Sequence, residues 1–166
     1  MPPKSAPFQI ARSQDAIYVR VTGLGSMHNA SALDAFAERE IEEGAQQFIL
    51  DLSDCTGVDS TFMGTLLGLS NRVRELDAGA GIALINVDDH ARKQLSSVGV
   101  DAFVTLVPGE TPLPRKLKLT ELSTEPVSDR ERLKLMVRAH KDLVSADSRN
   151  EAKFGAFLSA IVAELE

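Results

Sequence analysis

Residues 8 to 22 read as two strands joined by a tight turn, with apolar and polar positions in the two-residue period of a strand. Phe8-Gln9-Ile10-Ala11-Arg12 is one such segment, and Ser13-Gln14-Asp15 then turns the chain. Ala16 to Thr22 follows, rich in β-branched and aromatic side chains that suit a pleated surface. Gly23-Leu24-Gly25 breaks that pattern and predicts the end of the second strand.

The spacing then changes to that of a helix. From a start near Asn29 or Ser31, Leu33, Phe36, Ala37 and Ile41 fall on one face, while Asp34, Glu38, Glu40 and Glu42 point away. Gly44 stops the helix, and Gln47 to Leu52 reads as a mostly buried strand. Ser53 to Asp59 reads as a polar loop. Behind it, Phe62, Leu66, Leu69, Val73 and Leu76 mark one face of a longer helix, widened by Met63 and Leu67. Ile82 to Asn86 is the next strand. A short helix capped by Asp88 or Asp89 runs through Ala91, Leu95 and Val98 to Gly99, and a last strand lies near Phe103 to Val107. The order β-β-α-β-α-β-α-β predicts an α/β domain: a mixed sheet of four to five strands whose parallel pairs are joined by right-handed crossovers.

After Pro108 the pattern shifts again. Pro108, Pro112, Pro114 and Pro126 punctuate a connector in which Leu117 to Leu122 forms an extended edge segment. Two helices follow, each opened by a Ser-x-x-Glu capping box, Ser128 with Glu131 and Ser148 with Glu151. Leu133, Met136, Val137, His140, Leu143 and Val144 line the first; Phe154, Phe157, Leu158, Ile161, Val162 and Leu165 line the second. Such a hairpin has to bury its stripes, either on the open face of the sheet or against a second copy of the chain as a homodimer. The organisation is a tail over residues 1–7, an α/β domain over 8–124 that includes the connector, and a hairpin extension over 125–166.

Composition narrows the chemistry. Of 166 residues, 43% are hydrophobic and 25% charged, as in soluble globular proteins, and no apolar run reaches the ~18–20 residues of a membrane span. No h-region follows Met1 to Pro7, which makes the cytoplasm the expected compartment. The formal net charge of −6 excludes a broad nucleic-acid footprint. Cys55 is the only cysteine, which rules out an internal disulfide or a cysteine-based zinc site. His28, His90 and His140 show no metal-ligand spacing; His140 sits on an apolar stripe, where a satisfied core histidine is the ordinary outcome. No metal and no cofactor are expected.

The informative stretch is Asp51 to Leu67. It reads as strand, acidic loop, then hydroxyls at a helix start, where unpaired N–H groups favour an anion. Ser60 reads as the helix cap, Asp51 as the end of its strand and Asp59 as a brace on the loop. A Gly-x-Ser-x-Gly elbow and a Walker-type phosphate loop are absent, and no His–Asp pair is placed to activate Ser60. The residues therefore give no support to catalysis.

Phe48-Ile49-Leu50-Asp51-Leu52, followed by Val58-Asp59-Ser60-Thr61-x-x-Gly64-x-Leu66-Leu67, resembles the signature of STAS domains, the family of anti-sigma factor antagonists. Gly23 to Leu33 and Ile82 to Val100 resemble flanking segments of the same family. The resemblance covers roughly residues 8 to 108 and implies a non-catalytic regulatory module with a protein partner, often an anti-sigma factor or serine kinase. It maps the phosphoacceptor to Thr61, with Ser60 as the neighbouring candidate. The chain departs from the family pattern at Phe62, where a Gly is usual. Phe62 and Met63, where they stand partly exposed, supply an apolar contact beside Asp59, and Met27 and His28 extend that patch. The helical spacing of Phe62 and Met63 fits burial in the core at least as well. Phosphorylation sets nearly two charges beside Asp59, a repulsion of roughly 0.7–3 kcal/mol that the helix end offsets by about 0.3–1 kcal/mol. Thr61→Asp is thus expected to weaken partner capture at a nearly unchanged melting temperature. Service in a lipid or solute transport complex, and an unphosphorylated interaction scaffold, are the alternatives.

Overall fold

The computed structural model describes residues 6–14 and 16–166. Most of the expected tail and Asp15 of the first turn lie outside the described residues. Six strands form one sheet: β1 (Phe8–Arg12), β2 (Ile17–Gly25), β3 (Gln47–Val58), β4 (Gly81–Ile85), β5 (Thr105–Leu106) and β6 (Thr120–Glu121). Their spatial order is β5-β4-β3-β2-β1-β6. The hairpin β1–β2 is antiparallel, whereas β2–β3, β3–β4 and β4–β5 are parallel. The helices are α1 (Ala30–Glu42), α2 (Ser60–Leu76), α3 (Asp89–Ser97), α4 (Asp129–Ala146) and α5 (Arg149–Leu165).

One face of the sheet carries Val19, Val21, Phe48, Leu50 and Leu52, which share a single core with Leu33 and Phe36 of α1 and Phe62, Leu66, Leu69 and Val73 of α2. The stripe read from the sequence is this buried face, except that Leu76, at the helix end, is 72% exposed. On the other face the connector crosses from the β5 edge to the β6 edge. Asn86 pins it with paired bonds to Thr111: the Asn86 side-chain amide donates to the Thr111 carbonyl at 2.9 Å, and the Thr111 N–H donates to Asn86 Oδ1 at 2.8 Å. The extended segment at Leu117 to Leu122 is realised as β6, paired with β1 at Gln9 and Ile10.

Several expectations about the β2–β3 ribbon and the α5 cap need correction. Residues 53–58 are not a loop but the second half of β3, and β2 runs on through Gly25. Beyond Asp51, β3 pairs only with β2, as far as Gly25 opposite Val58. A two-stranded ribbon at the rim covers little, so polar side chains are tolerated there and the strand period is invisible. Asp51 therefore lies mid-strand, 2% exposed. Burial opposes its charge, but bonds from Asn86, Ser53 and Arg20 prevail and hold the carboxyl below its ordinary range. The start of α5 differs as well. Ser128 caps α4 by accepting from the Glu131 N–H, but Ser148 makes no side-chain cap bond. Asp147 accepts from the Arg149 N–H instead, and its bonds to Arg149 hold its carboxyl down at about 2.

The hairpin α4–α5 does not cover the open sheet face. It packs on the outer side of α2 and makes a third layer. α4 has two buried faces, where the sequence reading drew one stripe. Leu135, Ala139 and Leu143 point to the domain, while Met136 and Val137 meet Ile161, Leu158 and Val162 of α5 in a separate apolar cluster.

Candidate functional site

The site is built where the β2–β3 ribbon ends and α2 begins. The Asp59 N–H donates to the Gly25 carbonyl at 2.9 Å, closing the ribbon. Asp59, not Ser60, is the helix cap: its Oδ1 accepts from the Phe62 N–H at 2.9 Å, while its Oδ2 accepts from the Met27 N–H at 2.8 Å. One carboxylate thus ties the start of α2 to the 26–29 loop. This is the bracing role expected of Asp59, extended to a second segment.

With Asp59 as cap, Ser60 and Thr61 occupy the first helical positions, beside N–H groups that carry partial positive charge. Ser60 is half-buried, and its hydroxyl lies 2.8 Å from His140 Nε2 of α4. His140 Nδ1 lies 2.7 Å from the Met136 carbonyl, which can only accept, so Nδ1 carries the proton and Ser60 donates to Nε2. His140 is 1% exposed, with Phe154 and Phe157 set edge-on to its ring at centroid distances of 5.3 and 5.0 Å. Burial depresses its pKa, opposed by the Met136 carbonyl and by Asp59. The satisfied core histidine expected at this position is what the structure contains.

A serine bonded to a histidine invites comparison with a nucleophile and its base. The imidazole here is oriented by a backbone carbonyl rather than a carboxylate, and two phenyl rings close over it. Neither Ser60 nor His140 lines any of three cavities among the described residues. These are a groove of about 680 Å³ between α1, α4 and residues 121–127, a seam of about 260 Å³ between α2 and α4, and a hollow of about 870 Å³ between Arg20, Asp51, Asn86 and the connector. The arrangement fits a structural bond.

The remaining site residues divide sharply. Thr61 is 3% exposed. At 100° per residue it shares a sector of α2 with Gly64 and Gly68, the side that α4 covers. Phe62 is fully buried, stacked on Phe8 with centroids 6.3 Å apart, and a Cβ on Gly25 would come within 2.9 Å of its ring. Met63 is 5% exposed and belongs to the same core. These two residues therefore do not form the exposed apolar contact; the core reading of their spacing is correct. Met27 is half-buried against the hairpin's cluster, and His28 is exposed. Among the described residues no group of three or more His, Cys, Asp or Glu is placed to hold a metal, and burial pushes the Cys55 thiol up.

The sequence reading missed the Ser60–His140 bond, because 80 positions separate the partners. It also missed the charge cluster above it. Asp34 of α1 bonds both Arg72 of α2 and Arg138 of α4, the latter at 2.6 Å. A usable signal was present in Gly64 and Gly68, four residues apart on a helix, which permits a close helix crossing. A Cβ on Gly64 would stand 2.4 Å from the Ala139 carbonyl oxygen.

The STAS domain model matches residues 7–112. A candidate anti-sigma factor antagonist from Thermotoga maritima superposes with a TM-score of 0.53 at 20% identity, covering 61% of this chain and 84% of that one. An anti-sigma factor antagonist from Mycobacterium paratuberculosis gives 0.54 at 20% identity, covering 64% and 92%. No curated protein matches the chain. Residues 113–166 fall outside the matched region. Among the described residues no helix is long and apolar enough to cross a membrane. The chain belongs to the STAS domain family, and its helices α4 and α5 lie beyond the matched residues.

Proposed function

We propose that this chain is a non-catalytic regulatory module of the anti-sigma factor antagonist kind, which captures a protein partner at the start of α2 and releases it on phosphorylation there. The observation that carries the reading is the Asp59 carboxylate, which joins the Ser60–Thr61 hydroxyls and the Met27–His28 loop into one corner at a helix N-terminus. The descriptions of the two superposed proteins as anti-sigma factor antagonists support an anti-sigma factor as the partner class, and the sequence resemblance adds a serine kinase as the kind of protein that would fill it. A phosphate at Thr61 or Ser60 gains about 0.3–1 kcal/mol from the helix end. Beside Asp59 and buried across an interface it costs more than that, so the partner leaves while the domain keeps its fold.

The test is affinity capture from the native lysate with three baits: the unaltered chain, Thr61→Asp and Thr61→Asn. The Asn variant has the shape of Asp without its charge, so disturbance of the packing is common to both. We expect one protein retained by the unaltered and Asn baits and depleted about tenfold on the Asp bait, with phosphate found on Thr61 or Ser60 of the endogenous chain. Equal retention on the Asp and Asn baits, with neither hydroxyl modified, ends the charge-switch reading.

A further inference from the structure

We propose that the hairpin α4–α5 is a releasable cover, which in the closed chain occupies the corner of α2 carrying Ser60 and Thr61 and exposes that corner when it departs. The identity of the visitor rests on the function proposed above; the motion does not.

The covered side of α2 is built from Ser60, Gly64, Thr65, Gly68 and Arg72, with the buried Thr61 in the same helical sector, and all of these are small or polar. Uncovering such a surface forfeits little hydrophobic free energy on the α2 side, because there is little apolar area to return to water. The opposite side of the same helix, with Phe62, Leu66, Leu67 and Leu69 at 0–3% exposure, has no such freedom.

The hairpin carries its own apolar cluster, Met136, Val137 and Ile161 backed by Leu133, Leu158 and Val162, so it keeps internal packing when it leaves the domain. Leu135 and Leu143 join the domain core and favour the closed form at rest.

The seam itself is imperfect. A cavity of about 260 Å³ runs between α2 and α4, lined by Gly64, Gly68, Arg72, Arg138 and Asp142. Asn150, fully buried at the start of α5, donates to the Val98 and Leu143 carbonyls, yet its Oδ1 has no partner among the described residues. A buried acceptor left unpaired penalises the closed form, and opening returns it to water.

Alongside the apolar contacts of Leu135, Leu143, Ala146 and Phe154 with the core, polar bonds hold the seam. Arg138 reaches Asp34, His140 accepts from Ser60, Arg149 donates to the Ser96 carbonyl at 3.3 Å, and Lys153 donates to the Ser97 carbonyl. Each of these groups can exchange its protein partner for water on release.

Thiol labelling tests the motion without any partner. In a Cys55→Ala background, Thr61→Cys gives a single thiol at the covered corner, and its reaction with Ellman's reagent is timed in the full chain. Adding Gly64→Ala sets a methyl against the Ala139 backbone and forces α4 away, an overpacking change that corresponds to about a tenfold faster reaction or more. Adding Arg138→Ala instead, a milder change at a half-exposed side chain, should raise the rate severalfold and carries the test if the Gly64 variant does not fold. Amide exchange of β3 and β4 should stay as slow as in the parent in both variants. An unchanged labelling rate, or loss of protection in β3 and β4 in step with α4, overturns the cover. Failure of the capture experiment with a positive labelling result would remove the regulatory reading and leave the cover standing.

Discussion

The two sides of α2 have opposite chemistry within the same seventeen residues. Toward the sheet it presents Phe62, Met63, Leu66, Leu67, Leu69 and Val73, all part of the main core. Toward the hairpin it presents Ser60, Thr61, Gly64, Thr65 and Gly68, and contact there relies on close approach and polar bonds rather than on apolar volume. A helix bonded to both neighbours by leucines would fix three layers into one unit. This helix commits to one neighbour and keeps a working surface for the other.

The largest test of that contrast is Leu66→Ala. Leu66 is fully buried, and its truncation should cost about 2–5 kcal/mol. Denaturant unfolding should report the loss, with β3, β4, α4 and α5 losing amide protection together. Local loss confined to the hairpin would mean that the sheet side of α2 is not the anchor.

A smaller effect is expected from Thr61→Asp. Reading the sequence alone, a surface threonine tolerates that change. At 3% exposure, the carboxylate is taken largely out of water, and the helix end repays about 0.3–1 kcal/mol of it. A net loss of about 1–3 kcal/mol, or a melting temperature several degrees lower by calorimetry, is the expected outcome. Thr61→Asn should lose less. Equal melting of Thr61→Asp and the parent would show that the corner admits charge with the hairpin in place, and would erase the distinction between the two sides.

The smallest effect is a pH dependence. In the closed chain His140 is neutral, and burial sets its pKa below the ordinary value near 6.5. The open or unfolded chain therefore takes up the proton first, and stability falls as the pH drops below about 6.5, whereas above about 7.5 the group contributes no slope. Asp59, before α2, is the charged group acting on the ring, and α5 offers it only Phe154 and Phe157. Asp142 of α4, whose carboxyl burial pushes up, acts in the opposite sense and favours the closed form as it takes up a proton. The protection factor of the α4 amides, taken relative to the base-catalysed intrinsic rate, should fall between pH 7.5 and 6 in the parent, with the decrease absent in His140→Gln. A slope that survives in His140→Gln would assign it to another group.

Most of the architecture was readable because burial writes a period into the chain. The leucine side of α2 and the strands Gln47 to Leu52 and Ile82 to Ile85 carry that signal. The far half of β3 did not, since Ser53, Asp54 and Thr56 stand exposed on a ribbon with one neighbour. The site was readable only as a local pattern. Asp59, Ser60 and Thr61 announced a helix start, but what lies over them comes from residues 138–140, and no spacing rule links sites so far apart. Phe62 and Met63 suited either a docking patch or the core, and the sheet face behind them decided it.

The stitching of β6 onto β1 shortens the tether of the hairpin. Leu122 is buried and its N–H donates to the Phe8 carbonyl, so only residues 123–128 span the way to α4. Such a leash reaches at most about 20 Å when taut. A detached hairpin thus stays in the neighbourhood of its seat at an effective concentration on the order of millimolar, and re-seats without searching the solution. Any visiting protein competes against that local excess, and its apparent affinity is weakened by the fraction of time the seat is taken.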